Sequence, residues 1–283
     1  MPEVELSAGT VEYTDTGGDG PVVVLLHGLL MDGTLWDEVV AEVGGELRCV
    51  RPTLPLGGHR IPMHPDADLS LHGIAMLVGE FMDALDLREV TLVLNDWGGA
   101  QILVSEGRTE RIARLVLTSC EAFDNYPPGI PGRAIGTAAR VPGGLTLMTR
   151  LLRSRLVRRA PASWSWMAKR LPHDLLDAWF APATSQRAIR RDLRRYCLSI
   201  PPRRTLLAWA ERMRTFTGPV LVAWAKEDRL MPPRHGRELA ALFTDSRLVE
   251  IADSYTLIPI DQPSLLARTL VDFIAETPVT TSG

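Results

Sequence analysis

The stretch from Val90 to Ile102 constrains the fold more than any other part of the chain. It begins with Val-Thr-Leu-Val-Leu, a short β-rich apolar run typical of a parallel strand covered on both faces. Gly98 and Gly99 follow, and such glycines let the chain fold back so that a helix starts within two residues of the strand. Asp96 lies at this turn, so we expect its carboxylate at the carboxyl edge of a sheet, beside a helix N-terminus.

The residues around Asp96 resemble the nucleophile elbow of the α/β-hydrolase fold, with aspartate where esterases carry serine. Asn-Asp-Trp-Gly-Gly, residues 95–99, is most similar to the His-Asp-Trp-Gly elbows of haloalkane dehalogenases and epoxide hydrolases. The resemblance implies that Asp96 attacks an alkyl carbon and forms an ester that water then cleaves. The alternative interpretation of these five residues is an aspartate that only caps a helix after a core strand.

An earlier His-Gly motif extends the resemblance. His27-Gly28 ends an apolar run, and the resemblance implies an oxyanion hole formed by the backbone N–H groups of Leu29 and Trp97. A turn with a core histidine is the alternative. The next residues depart from the family pattern, because dehalogenases commonly place Asn directly after His-Gly and epoxide hydrolases place Pro one residue later. With Leu29 and Leu30 there, neither a halide nor an epoxide substrate is implied by this loop.

Two carboxylates occupy positions where relatives carry the catalytic acid. Asp228 follows the apolar run 219–225 and matches the acid loop of the resembled fold. Glu121 follows the predicted strand 112–118 in a Glu-Ala setting that some dehalogenases use for the same purpose, although a plain loop carboxylate explains it equally well. His59 lies in a Gly-rich loop expected near the same sheet edge, as a candidate site residue or as a solvated loop histidine.

The loop after the last predicted strand lacks the histidine that the resemblance leads us to expect. Relatives carry the catalytic base there, commonly followed by Asp and Pro, and Thr256 occupies that position ahead of Asp261 and Pro263. Threonine cannot accept a proton near pH 7 as imidazole does. Asp96 needs no base to attack, but ester cleavage needs activated water, so the chemistry could start and then stall.

Three explanations of the missing base stay open from sequence. Another group, with His59 as the first candidate, has taken over water activation. Alternatively, the site serves a non-hydrolytic cyclase, lyase or isomerase, with Asp96 as acid/base assisted by Tyr255, Tyr126 or Glu121. In the third explanation the fold is retained only to bind a ligand, or an introduced substitution has removed the histidine.

Residues 122–215, which we call the cap, differ chemically from the rest of the chain. They hold 18 arginine or lysine residues against 5 acidic ones, whereas the other 189 residues hold 13 against 29. The cap loses the strand pattern, which predicts helices inserted between core strands as the roof of a pocket. Its arginines could attract an anionic substrate, or they form a solvated face against the acidic core, 1–121 and 216–283.

These features together predict an α/β-hydrolase fold: a mostly parallel eight-stranded sheet with helices on both faces and an inserted helical cap. The expected ligand is a small, largely apolar molecule, with an anionic one as a variant. The sequence contains no recognised nucleic-acid module, membrane span or signal peptide, so neither nucleic acid nor membrane is an expected partner.

The three cysteines, Cys49, Cys120 and Cys197, have no disulfide or metal spacing. They predict a reduced, cytoplasmic setting, and we expect no metal and no cofactor. A monomer and a homodimer are both compatible with the sequence.

Overall fold

Eight strands form one mixed sheet in the computed structural model, which describes residues 1–278. In chain order they are β1 (Glu3–Leu6), β2 (Gly9–Asp15), β3 (Val22–Leu26), β4 (Arg48–Pro52), β5 (Val90–Asp96), β6 (Ile112–Cys120), β7 (Val220–Ala225) and β8 (Ser246–Ile251). Their order across the sheet is β1-β2-β4-β3-β5-β6-β7-β8. β2 pairs antiparallel with β1 and β4, and the other neighbours pair parallel. The predicted mostly parallel eight-stranded sheet is confirmed.

The central strands are buried along their whole length, which explains their continuous apolar sequences. Every residue of β5 and β7 is buried, whereas the edge strands β1 and β8 are exposed or half-buried at every position except the last. A strand covered by helices on both faces has no solvated side, so it carries apolar residues without interruption.

Twelve α-helices connect or cover the strands within the described residues. They are α1 (Asp37–Val43), α2 (Leu71–Ala84), α3 (Gln101–Ser105), α4 (Gly129–Arg140), α5 (Gly144–Leu151), α6 (Arg155–Arg159), α7 (His173–Ser185), α8 (Arg187–Leu198), α9 (Arg203–Arg212), α10 (Pro233–Ala240), α11 (Ile258–Asp261) and α12 (Pro263–Glu276). Short 3₁₀ turns cover Gly33–Trp36, Trp164–Trp166 and Met213–Thr215.

The strand order reverses direction at β3, and this reversal creates the crevice for a site. From β3 the chain steps to β4 on one side, then returns across β3 to β5 and continues to β6 on the other side. Because such crossovers are right-handed, α1 and α2 lie on opposite faces of the sheet. The loops after β3 and β5 therefore diverge at the carboxyl edge, the usual place for a ligand in an open α/β sheet.

All regular elements between β6 and β7 are helical, from α4 to the turn at Met213–Thr215. This segment contacts the loop that carries Thr256 through main-chain and carboxylate hydrogen bonds. The Leu257 N–H donates to the Met167 carbonyl at 2.8 Å, and Asp261 accepts hydrogen bonds from the N–H groups of Lys169 and Arg170 at 3.0 Å. The cap is thus attached to the core at the carboxyl edge of the sheet.

Residues 279–283, the end of the predicted core segment 216–283, lie outside the described residues. Within residues 1–278, no helix has both the length and the apolar character that crossing a bilayer would require.

Candidate active site

The turn after β5 holds Asp96 in a conformation that few side chains adopt. Its φ is +60°, in the left-handed region that costs most residues of order 1 kcal/mol or more and that aspartate enters more readily than most. The Trp97 N–H donates to the Asn95 carbonyl at 2.7 Å, and the Glu121 N–H donates to the Asp96 carbonyl at 2.9 Å. These two bonds fix the turn between β5 and the end of β6.

The glycines of this turn are required by close packing. A Cβ on Gly98 would lie 2.1 Å from the Glu121 carbonyl oxygen, and one on Gly99 would lie 2.2 Å from the Trp97 ring. The helix begins later than the sequence predicted: α3 starts at Gln101, and residues 98–103 first form tighter i to i+3 hydrogen bonds. A 3₁₀-like turn lets the chain reverse more sharply than an α-helical turn does.

The Asp96 carboxylate contacts the loop after β3. Its Oδ2 accepts a hydrogen bond from the Leu29 N–H at 3.2 Å, and a Cβ on Gly28 would lie 1.9 Å from the same oxygen. Burial raises the pKa of Asp96 to about 7; the Leu29 hydrogen bond opposes this shift and the charge of Asp228 adds to it. Near neutral pH the carboxyl group is therefore divided between its neutral and ionised forms.

The two predicted oxyanion donors have other partners in this structure. The Leu29 N–H bonds the Asp96 carboxylate itself, and the Trp97 N–H lies in the turn bond to Asn95. His27 is fully buried, with its Nε2 accepting from the Leu54 N–H at 2.8 Å and its Nδ1 2.8 Å from the Gly28 carbonyl. This pattern requires the Nδ1–H tautomer, and burial lowers the pKa of His27 to about 4. His27 thus holds the loop as a neutral core histidine.

Thr256, at the position where we expected a histidine from sequence, is hydrogen-bonded to Asp228. Its hydroxyl donates to Asp228 Oδ1 at 2.9 Å, an oxygen that also accepts the N–H groups of Leu230 and Met231. Asp228 Oδ2 is buried without a partner in the described part of the chain. Burial raises the pKa of Asp228 to about 6, although these hydrogen bonds oppose the shift. Asp228 and the loop of Thr256 are thus hydrogen-bonded to each other, and a threonine hydroxyl cannot accept a proton near neutral pH as an imidazole does.

A mostly apolar cavity of about 340 Å³ lies in front of Asp96. Core residues line one side and the cap lines the other; among them are Leu29, Trp97, Ile135, Met148, Trp164 and Tyr196. This volume is at the small end of ligand pockets, which typically measure about 300–1,000 Å³. The indole Nε1 of Trp97 is buried and has no acceptor within residues 1–278, so a ligand atom could take its hydrogen bond.

Glu121 is the second carboxyl group in the lining of this cavity. Apart from Asp96, it is the only acidic side chain among the described lining residues. The Gly98 N–H lies 3.4 Å from its Oε2. Burial, followed by the negative charge of Asp96, raises the pKa of Glu121 well above its ordinary value. The protonated form of Glu121 is therefore favoured while Asp96 is ionised.

The other predicted site residues divide between the cavity and its surroundings. Tyr126 lines the cavity, with its ring centroid 6.3 Å from that of Tyr196. His59 lies outside the described lining residues; its Nδ1 accepts from the Gly57 N–H at 3.3 Å, and its Nε2 is 3.4 Å from the Asp192 carboxylate. His59 thus connects its loop to α8 of the cap.

Tyr255 also lies outside the lining, and its ring packs under the guanidinium of Arg229, 4.6 Å from the ring centroid. The sequence did not identify the Asn95 side chain, whose Nδ2 donates to the Thr256 carbonyl at 2.8 Å. It also missed Cys197, which reaches the cavity from α8. No cluster of three or more His, Cys, Asp or Glu side chains suited to a metal occurs within the described residues.

The chain belongs to the alpha/beta hydrolase family, because the sequence model of that family matches residues 23–269. The haloalkane dehalogenase of Mesorhizobium japonicum is 24% identical, over 97% of this chain and 91% of the relative. Haloalkane dehalogenase 2 of Mycobacterium bovis is 26% identical, over 94% and 92%.

Solved structures agree with these relatives on the architecture. A loop variant of a haloalkane dehalogenase from Bradyrhizobium elkanii has a TM-score of 0.78 at 20% identity, covering 98% of this chain and 96% of that one. This likeness defines the fold alone. The expected resemblance to the haloalkane dehalogenase branch is confirmed.

Proposed function

We propose that this protein is an enzyme in which Asp96 is the nucleophile toward a small, largely apolar electrophile. The observation that carries the proposal is the placement of Asp96: a carboxylate in the left-handed conformation lines a small apolar cavity between core and cap. The named haloalkane dehalogenases among the relatives support the same class of reaction. Fold alone does not define chemistry, so the site residues have to carry the assignment.

In the first step, an ionised Asp96 oxygen attacks a saturated carbon of the substrate. A carbon–oxygen ester bond forms, and the leaving group departs with the electron pair of its bond to that carbon. The reaction requires no base, because the nucleophile is already an anion. Since burial raises the pKa of Asp96 to about 7, the rate of this step rises with pH through neutrality.

In the second step, water must attack the ester carbonyl, and Glu121 is the group best placed to accept its proton. Esterification removes the negative charge of Asp96, which is one of the causes that raise the pKa of Glu121. Glu121 therefore ionises more easily once the ester exists. His59 is less suited, since it contacts Asp192 and lies outside the described cavity lining.

A small cavity beside Glu121 supports its role with water. It has a volume of about 40 Å³ and is lined by Gly98, Gln101 and Ser105 among others; Glu121 and Tyr126 line both cavities. One water occupies about 30 Å³ in the liquid, so this space is large enough for at least one molecule. Glu121 takes a proton from that water as its oxygen bonds to the ester carbonyl carbon. The bond from that carbon to the alkyl oxygen then breaks, Glu121 returns the proton to the departing oxygen, and the alcohol leaves with the Asp96 carboxyl group regenerated.

Intact-protein mass spectrometry tests the first step. After incubation with 1-bromohexane or 1,2-epoxyhexane, we expect a covalent adduct that peptide mapping assigns to Asp96. Asp96→Asn is the matched control and should form no adduct. If the wild-type chain shows neither an adduct nor product under conditions where it is folded, the carboxylate-nucleophile proposal is wrong.

Glu121→Gln tests the second step without removing the nucleophile. We expect the adduct to form in this variant and to persist at least about tenfold longer, because general base catalysis contributes roughly 10²–10⁴-fold. An unchanged adduct lifetime in Glu121→Gln would remove Glu121 from the mechanism while leaving the Asp96 step intact.

A second candidate function is a non-hydrolytic acid/base enzyme, and the two cavity carboxyl groups favour it. Asp96 has a pKa of about 7, and the protonated form of Glu121 is favoured, so the pair suits proton transfer to and from a bound metabolite. Turnover in H₂¹⁸O separates the candidates. The ester route places ¹⁸O in the Asp96 carboxylate, whereas proton transfer leaves that carboxylate unlabelled.

A further inference from the structure

The cap exposes an unusual number of large apolar side chains within a short stretch of sequence. Among the described residues, eight large apolar side chains are exposed, and five of them lie between positions 130 and 156. They are Ile130 (56% exposed), Val141 (54%), Leu147 (61%), Leu151 (49%) and Leu156 (81%). Single exposed apolar residues need no explanation, but a cluster of them marks an interaction surface.

The longer segment that contains these side chains is strongly basic. Residues 125–173 contain nine arginine or lysine residues and no aspartate or glutamate. Arg150, Arg153 and Arg159 are exposed and have no ion-pair partner within the described chain. Their charges are therefore free to act on an external surface.

The exposed apolar residues and the free arginines alternate on α5, α6 and their connection. Leu147 and Leu151 are four residues apart on α5, so they lie on one face of that helix. Leu156 follows on α6 with Arg153 and Arg159 on either side in sequence. We call Leu147, Arg150, Leu151, Arg153, Leu156 and Arg159 the basic apolar face.

This face adjoins the active-site cavity. Leu151 lines the cavity and is also 49% exposed, so this side chain belongs to both the cavity wall and the outer surface. Val157 on α6 and Ala160 at its end line the cavity as well. The basic apolar face and the cavity wall are thus formed by the same short segment of the cap.

We propose that the basic apolar face docks on an anionic lipid surface, from which an apolar substrate passes into the cavity. Arginine next to exposed leucine is the combination that binds such surfaces, because the cations attract lipid headgroups while the apolar side chains enter the interface. The docking itself does not depend on the proposed chemistry. From the sequence we expected no membrane partner, because the chain shows no spanning segment, but peripheral docking requires no such segment.

Vesicle co-sedimentation tests the proposal with the full chain. We expect binding to phosphatidylcholine vesicles that contain a quarter phosphatidylglycerol, at least tenfold weaker binding to pure phosphatidylcholine, and loss of the difference in 1 M NaCl. Equal binding to both vesicle types, or no binding to either, would overturn the proposal.

Paired variants locate the contact. Leu147→Ser/Leu156→Ser and Arg150→Glu/Arg153→Glu should each weaken vesicle binding at least tenfold. The matched controls, Leu198→Ser/Leu248→Ser and Arg234→Glu/Arg268→Glu, make the same chemical changes at exposed sites elsewhere and should retain it. Circular dichroism and melting temperature establish that each variant is folded.

Two outcomes of these variants would contradict the assignment. Equal losses in the control variants would show that the basic apolar face is not the contact. Self-association without vesicles, abolished by Leu147→Ser/Leu156→Ser in sedimentation velocity, would assign the face to a second copy of the chain.

Discussion

Exchanging Asp96 for asparagine should make the folded protein more stable, by an amount that grows with pH. Asparagine keeps the shape of the side chain and an oxygen that can accept the Leu29 N–H, but it carries no charge. Burial raises the pKa of Asp96 from 3.8 to about 7, so folding at higher pH has to place an unfavourable charge in the site. The substitution removes that cost.

The magnitude follows from the difference between the two pKa values. Each tenfold change in proton affinity corresponds to about 1.4 kcal/mol, so the raised pKa of Asp96 amounts to about 4 kcal/mol. The folded state binds the Asp96 proton more tightly than the unfolded state does. The stabilisation from this proton is therefore fully present below pH about 4 and is lost as pH rises to about 7. The advantage of Asp96→Asn should therefore be near zero at pH 4 and about 4 kcal/mol above pH 7.

Urea denaturation followed by tryptophan fluorescence measures this advantage at several pH values. In thermal unfolding at pH 8 we expect the melting temperature of Asp96→Asn to exceed that of the wild-type chain by roughly 10 °C, given how melting temperature depends on stability for a chain of this size. Asp66→Asn, an exposed carboxylate without a hydrogen bond in the described structure, is the control and should show no such trend. A stability difference for Asp96→Asn that does not change between pH 4 and pH 8 would refute the reasoning.

Three further substitutions test the surroundings of the site. Thr256→His places an imidazole beside Asp228, so released bromide, measured by ion chromatography, should exceed the wild-type rate; no gain would indicate a repurposed site. Gly28→Ala puts a Cβ 1.9 Å from Asp96 Oδ2, and displacing the carboxylate by about 1 Å should slow adduct formation about 100-fold. An unchanged rate of labelling in mass spectrometry would contradict this expectation. Asp261→Ala removes the carboxylate that accepts the N–H groups of Lys169 and Arg170, and it should lower the free energy of unfolding by about 1–3 kcal/mol in total. An unchanged midpoint in a urea titration would contradict this expectation.

The sequence predicted the sheet well because its central strands are buried on both faces. β5 and β7 are apolar runs bounded by turns, and this pattern depends on local sequence and burial rather than on distant partners. The elbow was visible because its close packing requires glycine. A Cβ at Gly98 or Gly99 would collide with Glu121 or Trp97, so the requirement leaves a Gly-Gly pair in the sequence. The start of α3 was misplaced, because nothing in the local sequence signals the initial 3₁₀ turn.

The contacts of the site depended on tertiary structure and were not visible in the sequence. His59 stands in a loop of the core, yet its partner Asp192 comes from a cap helix more than a hundred positions later. The Leu29 N–H was expected to face a substrate oxygen, and it bonds Asp96 because the two loops converge at the sheet edge. Only coordinates place such distant segments together.

The main chain at Thr256 is held from both sides by side chains other than its own. Asn95 bonds the carbonyl of Thr256, and Asp261 bonds the N–H of Tyr255 just before it. These two main-chain hydrogen bonds can form with any residue at position 256. The side chain at position 256 can therefore change while the main-chain hydrogen bonds of the loop remain. The presence or absence of a proton acceptor there is thus separable from the ability of the chain to fold.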